Sequence, residues 1–171
     1  MELSHPDVLH LQAAVGWLEL GDAVESLDEL ERTSAKSRSH PDVLETRWLA
    51  LARLHRWDEA VPVGHALCVA APNRAVGRLH HAYALRRAKG GGLQAAFNVL
   101  SQAAPKFPNE ATVPYNLACY SCQMQREATE TLAWLRQAIK IGGRKKIIAM
   151  ALQDPDLEPL RAEIEKLAKA Q

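Results

Sequence analysis

His5-Pro6-Asp7-Val8-Leu9 returns thirty-five residues later as His40-Pro41-Asp42-Val43-Leu44, and this recurrence decides how the rest of the chain is read. Self-similarity at a fixed period in the thirties is the mark of a tandem array of small helical units. Other offsets agree with it. Ala60 to Ala96 and Pro72 to Pro108 are thirty-six residues apart; Leu100 to Leu135 and Ala103 to Ala138 are thirty-five apart.

Each unit reads as two helices. Four units fit, at about 5–38, 40–72, 74–108 and 109–141. In the second, Pro41 suits a first helical turn, where its missing N–H costs nothing. Val43, Leu44, Trp48, Leu51 and Leu54 follow at helical spacing. His55-Arg56-Trp57 turns the chain, and Asp58 is expected to cap a second helix carrying Ala60, Val63, Leu67 and Ala70, with Pro62 near its first turn. The third unit runs from Arg74 through Lys89, breaks at Gly90-Gly91-Gly92 and resumes at Leu93. Glycine stops a helix because it gives up the most backbone entropy and adopts positive φ readily. The fourth runs from Asn109 to Met124, turns at Gln125-Arg126 and continues to about Lys140. The first turns at Gly21-Asp22 and ends in the polar connector Ser34-Ala35-Lys36-Ser37-Arg38-Ser39.

A helix pair of this length cannot bury its apolar face alone, so neighbours must supply the rest of the core. Small residues at fixed offsets (Ala60, Ala96, Ala103 and Ala138, all in second helices) let adjacent helices approach closely. A right-handed α-solenoid of about four repeats, forming one domain over 1–171, is the expected all-α architecture.

Composition fits this reading and bounds the function. Aromatics are only 5% of the 171 residues, whereas strands favour aromatic and β-branched residues. The formal net charge is +1, which gives no electrostatic footprint for nucleic acid. No apolar run reaches the length of a membrane span. Three cysteines are too few, and odd in number, for a disulfide framework. The opening residues Met1-Glu2-Leu3-Ser4 lack the basic region of a signal peptide. A reducing cytoplasm is the expected setting.

These residues resemble the tetratricopeptide repeat (TPR), a helix-turn-helix unit of about 34 residues. Ala60 with Pro72, then Ala96, Leu100, Ala103 and Pro108, then Tyr115-Asn116-Leu117-Ala118 with Leu132, Leu135 and Ala138 carry the likeness. In the first unit Trp17, Gly21 and Leu30 can be placed, but Ser26 stands where Ala is usual, and the Leu-Gly pair of the pattern is nowhere intact. Asp154-Pro155-Asp156-Leu157-Glu158-Pro159-Leu160-Arg161 looks like an ending common in bacterial members. It reads as a capping helix within a cap over 144–171, with Asp154 as N-cap and Leu157, Leu160, Ile164 and Leu167 as one stripe.

The resemblance implies a binding function. In the family the first helix of each pair lines a concave groove that holds a peptide or partner helix. By position the groove residues are Glu45, Leu49, Ala52 and Arg53, then Arg78, His81, Leu85 and Lys89, then Tyr115, Asn116, Cys119 and Gln123. Asn116 matches an Asn that bonds a bound peptide's backbone in relatives. Arg53, Arg78 and Lys89 would attract an acidic segment, unless these charges only solvate an open groove. The carboxylate clamp of chaperone-binding members is not expected, since Leu11 and Val15 stand in that region.

Enzyme chemistry finds little support. Cys119-x-x-Cys122 lies inside a helix with no second pair to complete a zinc site, so both are read as packing residues. His80 and His81 are adjacent and point about 100° apart, which does not converge on a metal. Asp7, Asp42, Asp58, Glu59, Asp154 and Asp156 fall near helix starts and complement the macrodipole. Gly90-Gly91-Gly92 lacks the strand and the Lys-Ser/Thr of a phosphate loop. Arg144-Lys145-Lys146 is read as a solvated helix start. No catalytic residue, metal or cofactor is expected. The partner is a protein or peptide, not nucleic acid or membrane. The alternative is a self-associating homodimer or a dedicated chaperone whose groove is filled by another copy or by its client, with Trp17, Trp48 and Trp57 as interface candidates if exposed.

Overall fold

The computed structural model describes residues 3–169, so the first two and last two positions of the domain expected over 1–171 lie outside it. Within those residues the chain forms ten α-helices and no strand. They are α1 (His5–Glu19), α2 (Ala23–Glu31), α3 (Pro41–Arg53), α4 (Trp57–Ala70), α5 (Ala75–Leu85), α6 (Leu93–Ala103), α7 (Thr112–Gln123), α8 (Ala128–Gly142), α9 (Arg144–Gln153) and α10 (Arg161–Lys169). The first eight follow the order of the four expected units: α1/α2, α3/α4 and α7/α8 pack as pairs, while α5 packs on α4 and α6 packs on α7.

Three of the pairs turn on the same backbone device. Gly21, His55 and Gln125 all have positive φ, at 90°, 55° and 56°. In each case its own N–H bonds the carbonyl three residues back. The next N–H bonds the carbonyl five back: Asp22 to Trp17, Arg56 to Leu51, Arg126 to Ser121. This is the Schellman closure, which satisfies the last carbonyls of a helix. The stretch from α5 to α6 departs from it. Helix α5 ends at Leu85, short of the expected Lys89, and the chain runs on to Gly92, whose N–H bonds the Leu85 carbonyl. Gly91 is required there, since a Cβ on it would sit 2.0 Å from that oxygen.

The chain divides into two compact units between Gly92 and Leu93. In the first, Ala14, Leu30 and Val43 pack together, and Leu18, Leu27, Trp48, Leu51 and Ala60 form the larger core. Helices α4 and α5 meet through glycine. A Cβ on Gly64 would fall 2.8 Å from the His81 Cα, and one on Gly77 would fall 3.0 Å from the Cys68 nitrogen. Here backbone packs on backbone, the extreme of the small-residue principle that the alanines suggest.

In the second unit Leu100, Leu117, Leu135, Leu157 and Ile164 are fully buried. The hydroxyls of Ser121 and Thr131 bond each other at 2.8 Å inside the α7/α8 contact, so two buried polar groups satisfy one another. The guanidinium of Arg126 lies 4.0 Å from the Phe97 ring centre and donates to Glu130.

Local expectations are corrected in three places. Asp58 is not the cap of α4: Trp57 begins that helix, Arg56 is its N-cap, and the Asp58 carboxylate accepts from the Lys89 N–H at 2.9 Å. Pro62 lies in the second turn of α4, not the first. Asp154 caps not a helix but a tight 3-10 turn over Pro155–Leu160, and α10 starts only at Arg161. Pro159 has no N–H to offer the carbonyl of Pro155, so an α-helical turn cannot propagate through it.

Candidate functional site

The expected groove residues separate into groups with different surroundings. On α3, Leu49 is 40% exposed on a helix whose other face carries the buried Val43, Leu44, Trp48 and Leu51. Glu45 and Ala52 are half-buried beside it and Arg53 is exposed. The Arg53 guanidinium donates to the carbonyl of Leu18 near the end of α1. It therefore neutralises the negative end of α1 and fixes α3 against it. On neighbouring α1, Val15 is also exposed.

The α5 residues do not continue the α3 surface as a row. His81 faces α4: its backbone is what a Cβ on Gly64 would strike, and its ring lies 5.5 Å from that of His65. Arg78 lies close enough to Cys68 and His81 to act on both electrostatically. Leu85 is half-buried at the end of the helix, and Lys89 lies beyond it in the turn. The glycine contact sets how α5 is rotated on α4, and a register copied from relatives has no access to that rotation.

What α5 contributes instead is an aromatic knot. The His80 imidazole stacks on the Trp48 indole at 3.8 Å and 3°. Tyr83 meets Trp48 and Trp57 edge-on at 6.0 and 5.8 Å, and the Arg87 guanidinium covers the Tyr83 ring at 3.6 Å. Burial pushes the His80 pKa down to about 4, so the ring is neutral near pH 7. Of the three tryptophans marked as interface candidates, Trp48 is buried, Trp57 is half-buried and Trp17 is exposed.

On α7 the expected groove residues meet another part of the chain. Tyr115 and Cys119 are buried. The Tyr115 hydroxyl donates to Asp154 Oδ2 at 2.9 Å, and the Cys119 thiol points to the same oxygen at 3.5 Å. Asp154 Oδ1 takes the Asp156 N–H at 3.0 Å. The Gln123 side-chain amide donates to the Asp156 carbonyl at 3.0 Å. Leu157 is fully buried behind them, while Asn116 stays half-buried. Desolvation and the neighbouring acidic groups push the Tyr115 hydroxyl far above its usual pKa, so it stays protonated and donates to Asp154.

Donor atoms of Cys119, Asp154 and Asp156 lie within 4.8 Å of one another. Binding a metal ion there would displace the Cys119 thiol proton from Asp154, since sulfur ligates as the thiolate. Sequence reading missed this grouping because thirty-five residues separate Cys119 from Asp154. All three cysteines are buried thiols, and burial raises the pKa of Cys68 and Cys122, which suits packing rather than redox work. Arg144, Lys145 and Lys146 are exposed at the start of α9, with the Arg144 guanidinium donating to the Leu167 carbonyl. Among the described residues no helix is long and apolar enough to cross a membrane.

No protein-family model matches the chain, and no curated protein sequence matches it. Solved structures do match along nearly its whole length. A MamA structure from Desulfovibrio magneticus RS-1, spanning residue 41 to the end, superposes with a TM-score of 0.70 at 18% identity, covering 98% of this chain and 95% of that one. A double mutant of RS-1 MamA gives 0.69 at 17% identity over 99% and 100%. TTC0263, a thermophilic TPR protein of Thermus thermophilus, gives 0.66 at 18% identity over 95% and 96%. The fold is that of the TPR helical-repeat proteins, all-α and built from tandem helix pairs.

Proposed function

We propose that this protein is a non-enzymatic binding module that holds a peptide or partner-protein segment against the first helices of its repeats. The observation that carries this reading is the α3 surface. Leu49 is exposed between Glu45 and Arg53, on a helix whose opposite face is core. An apolar side chain ringed by charges is what a modest protein contact uses: burial supplies affinity and the charges select the partner. A near-neutral chain supports a protein partner over nucleic acid. Three buried thiols suit a reducing cytoplasm. The four repeats and the C-terminal cap are read as one functional array, with the Asp-Pro-Asp-Leu segment as its closing piece. Non-enzymatic action is supported by the strongly shifted groups, since Asp7, His80 and Tyr115 are each explained by packing and hydrogen bonding.

The test is capture from native lysate with mass spectrometry, comparing wild type with a Glu45→Arg/Leu49→Glu variant. Both positions keep solvent contact, so the variant should fold. A protein retained by wild type and lost from the variant is the expected result. An identical set of captured proteins would sink the α3 surface as the site.

One observation favours self-association as a second reading. Leu9, on the side of α1 opposite the buried Asp7, Ala14 and Leu18, and Leu20, the C-cap of that helix, are 53% and 78% exposed. Light scattering on wild type and on Leu9→Glu/Leu20→Glu separates the two readings. A wild-type dimer converted to monomer would put self-association first; a monomer in both would remove it.

A further inference from the structure

The face of α7 that carries Tyr115, Cys119 and Gln123 is already occupied, and its occupant reports what the face recognises. Helix α7, Thr112–Gln123, has no charged side chain. The polar groups it turns to the C-terminal segment are all donors: a hydroxyl, a thiol and an amide. They receive one carboxylate, that of Asp154, and one main-chain carbonyl, that of Asp156. Leu157, three residues after the carboxylate, is fully buried. Pro155 between them holds the segment in its tight turn and lowers the entropy cost of adopting it.

We propose that this face of α7 is a binding site for a protein segment of the pattern Asp-Pro-Asp-Leu. It is filled in cis by Asp154–Leu157 and becomes available to the same chemistry in trans when that segment lifts away. The proposal rests on the binding-module reading but concerns a different surface from α3. Three features fit a removable occupant. The segment is a 3-10 turn with two prolines, not a member of a helix pair. Pro155, Glu158 and Pro159 along it are exposed. Helices α9 and α10 pack on each other directly, so the polypeptide on either side keeps contacts of its own when the turn leaves. A carboxylate received by neutral donors meets no competing charge on α7, and the Gln123 contact reads main chain at the third position, where the Asp156 carboxylate also lies within 4.8 Å of the Cys119 thiol. Tight binding in cis sets the threshold a partner must exceed, because the effective concentration of a tethered segment is high.

The test uses the full chain and a fluorescein-labelled peptide, Leu-Gln-Asp-Pro-Asp-Leu-Glu-Pro-Leu-Arg, read by fluorescence anisotropy. An Asp154→Ala/Leu157→Ala variant, checked for helicity by circular dichroism, is expected to bind at least about ten-fold tighter than wild type. Changing the first Asp of the peptide to Asn, or adding Tyr115→Phe to the opened variant, should each weaken binding several-fold. Equal binding by wild type and a folded opened variant would overturn the proposal, as would indifference to the Asp-to-Asn change. If the opened variant loses its helicity, wild type decides instead. A peptide with a photo-crosslinking residue at the Leu position should label α7, and no labelling of α7 at millimolar peptide overturns the site. Neither outcome depends on whether the α3 surface captures a partner.

Discussion

Asp7 collects four hydrogen bonds at 2.6–2.7 Å, from the hydroxyls of Ser4, Ser34 and Ser37 and the N–H of Ser34. It is buried, and these donors hold its carboxyl far below the usual range, with Ser37 the largest contributor. The second copy of the same motif takes a different partner. Asp42, half-buried, pairs with Arg74 at 2.8 Å. Asp7 is thus the pin that ties the Ser34–Ser39 connector to α1. A folded pKa below the unfolded value of about 3.9 means stability that is complete above that pH and lost as the pH falls below it. Thermal unfolding followed from pH 5 to 2 should show a falling Tm. Asp7→Asn should start several degrees lower and lose much of that slope. His80 acts in a separate window. Its folded pKa of about 4 lies below the ordinary 6.5 because burial disfavours the imidazolium. Stability is then complete above about pH 6.5 and declines toward pH 4, by about 3 kcal/mol at most at roughly 1.4 kcal/mol per unit. His80→Phe, which keeps a ring against Trp48, should flatten the urea midpoint between pH 7 and 5. A His80→Phe midpoint as pH-dependent as wild type would place the titrating group elsewhere.

Between helices, the α4/α5 contact is the most exacting. Gly64 and Gly77 each lie where a Cβ would press on the other helix's main chain rather than on a movable side chain. Relief would require the two backbones to separate. Gly64→Ala and Gly77→Ala are each expected to cost about 1–3 kcal/mol, as overpacking does, despite alanine's better helix propensity. The pair should not be additive, since one separation relieves both clashes. Urea denaturation of the two single variants and the double variant measures this; a stabilised Gly77→Ala would show that the contact is looser than described. His80, which stacks on Trp48 of α3, is carried on α5, so the same variants should alter the tryptophan fluorescence.

At the scale of the molecule, the third turn is where the repeat pattern changes. The Schellman closure of the three packed pairs is replaced by the longer run to Gly92, and the boundary between the two compact units falls at the next residue. In repeat arrays each segment is stabilised chiefly by its neighbours, so cooperativity weakens where the pattern is interrupted. Native-state hydrogen exchange should therefore give two protection levels that divide near Gly92, one for core amides of α3 and α4 and one for those of α7 and α8. A single common level would mean that the chain opens as one cooperative unit.

The sequence alone determined the helical class, three of the helix pairs and the turns that close them. Period, helical spacing and small residues are properties of neighbours along the chain, and Gly21, His55 and Gln125 fall where that period puts them. Glu45, Leu49 and Arg53 are placed by position from the family resemblance, and their role as a binding surface is a proposal. Three things were decided only by tertiary structure. The rotation of α5 on α4 comes from two glycines thirteen residues apart, and it turns His81 toward α4. The role of Asp7 depends on serines twenty-seven and thirty residues away. The cover on Tyr115, Cys119 and Gln123 arrives from Asp154, and no local pattern on α7 announces it. Periodicity says which side of a helix is apolar; only the packed chain decides what arrives at the other side, because that depends on contacts between residues far apart in sequence.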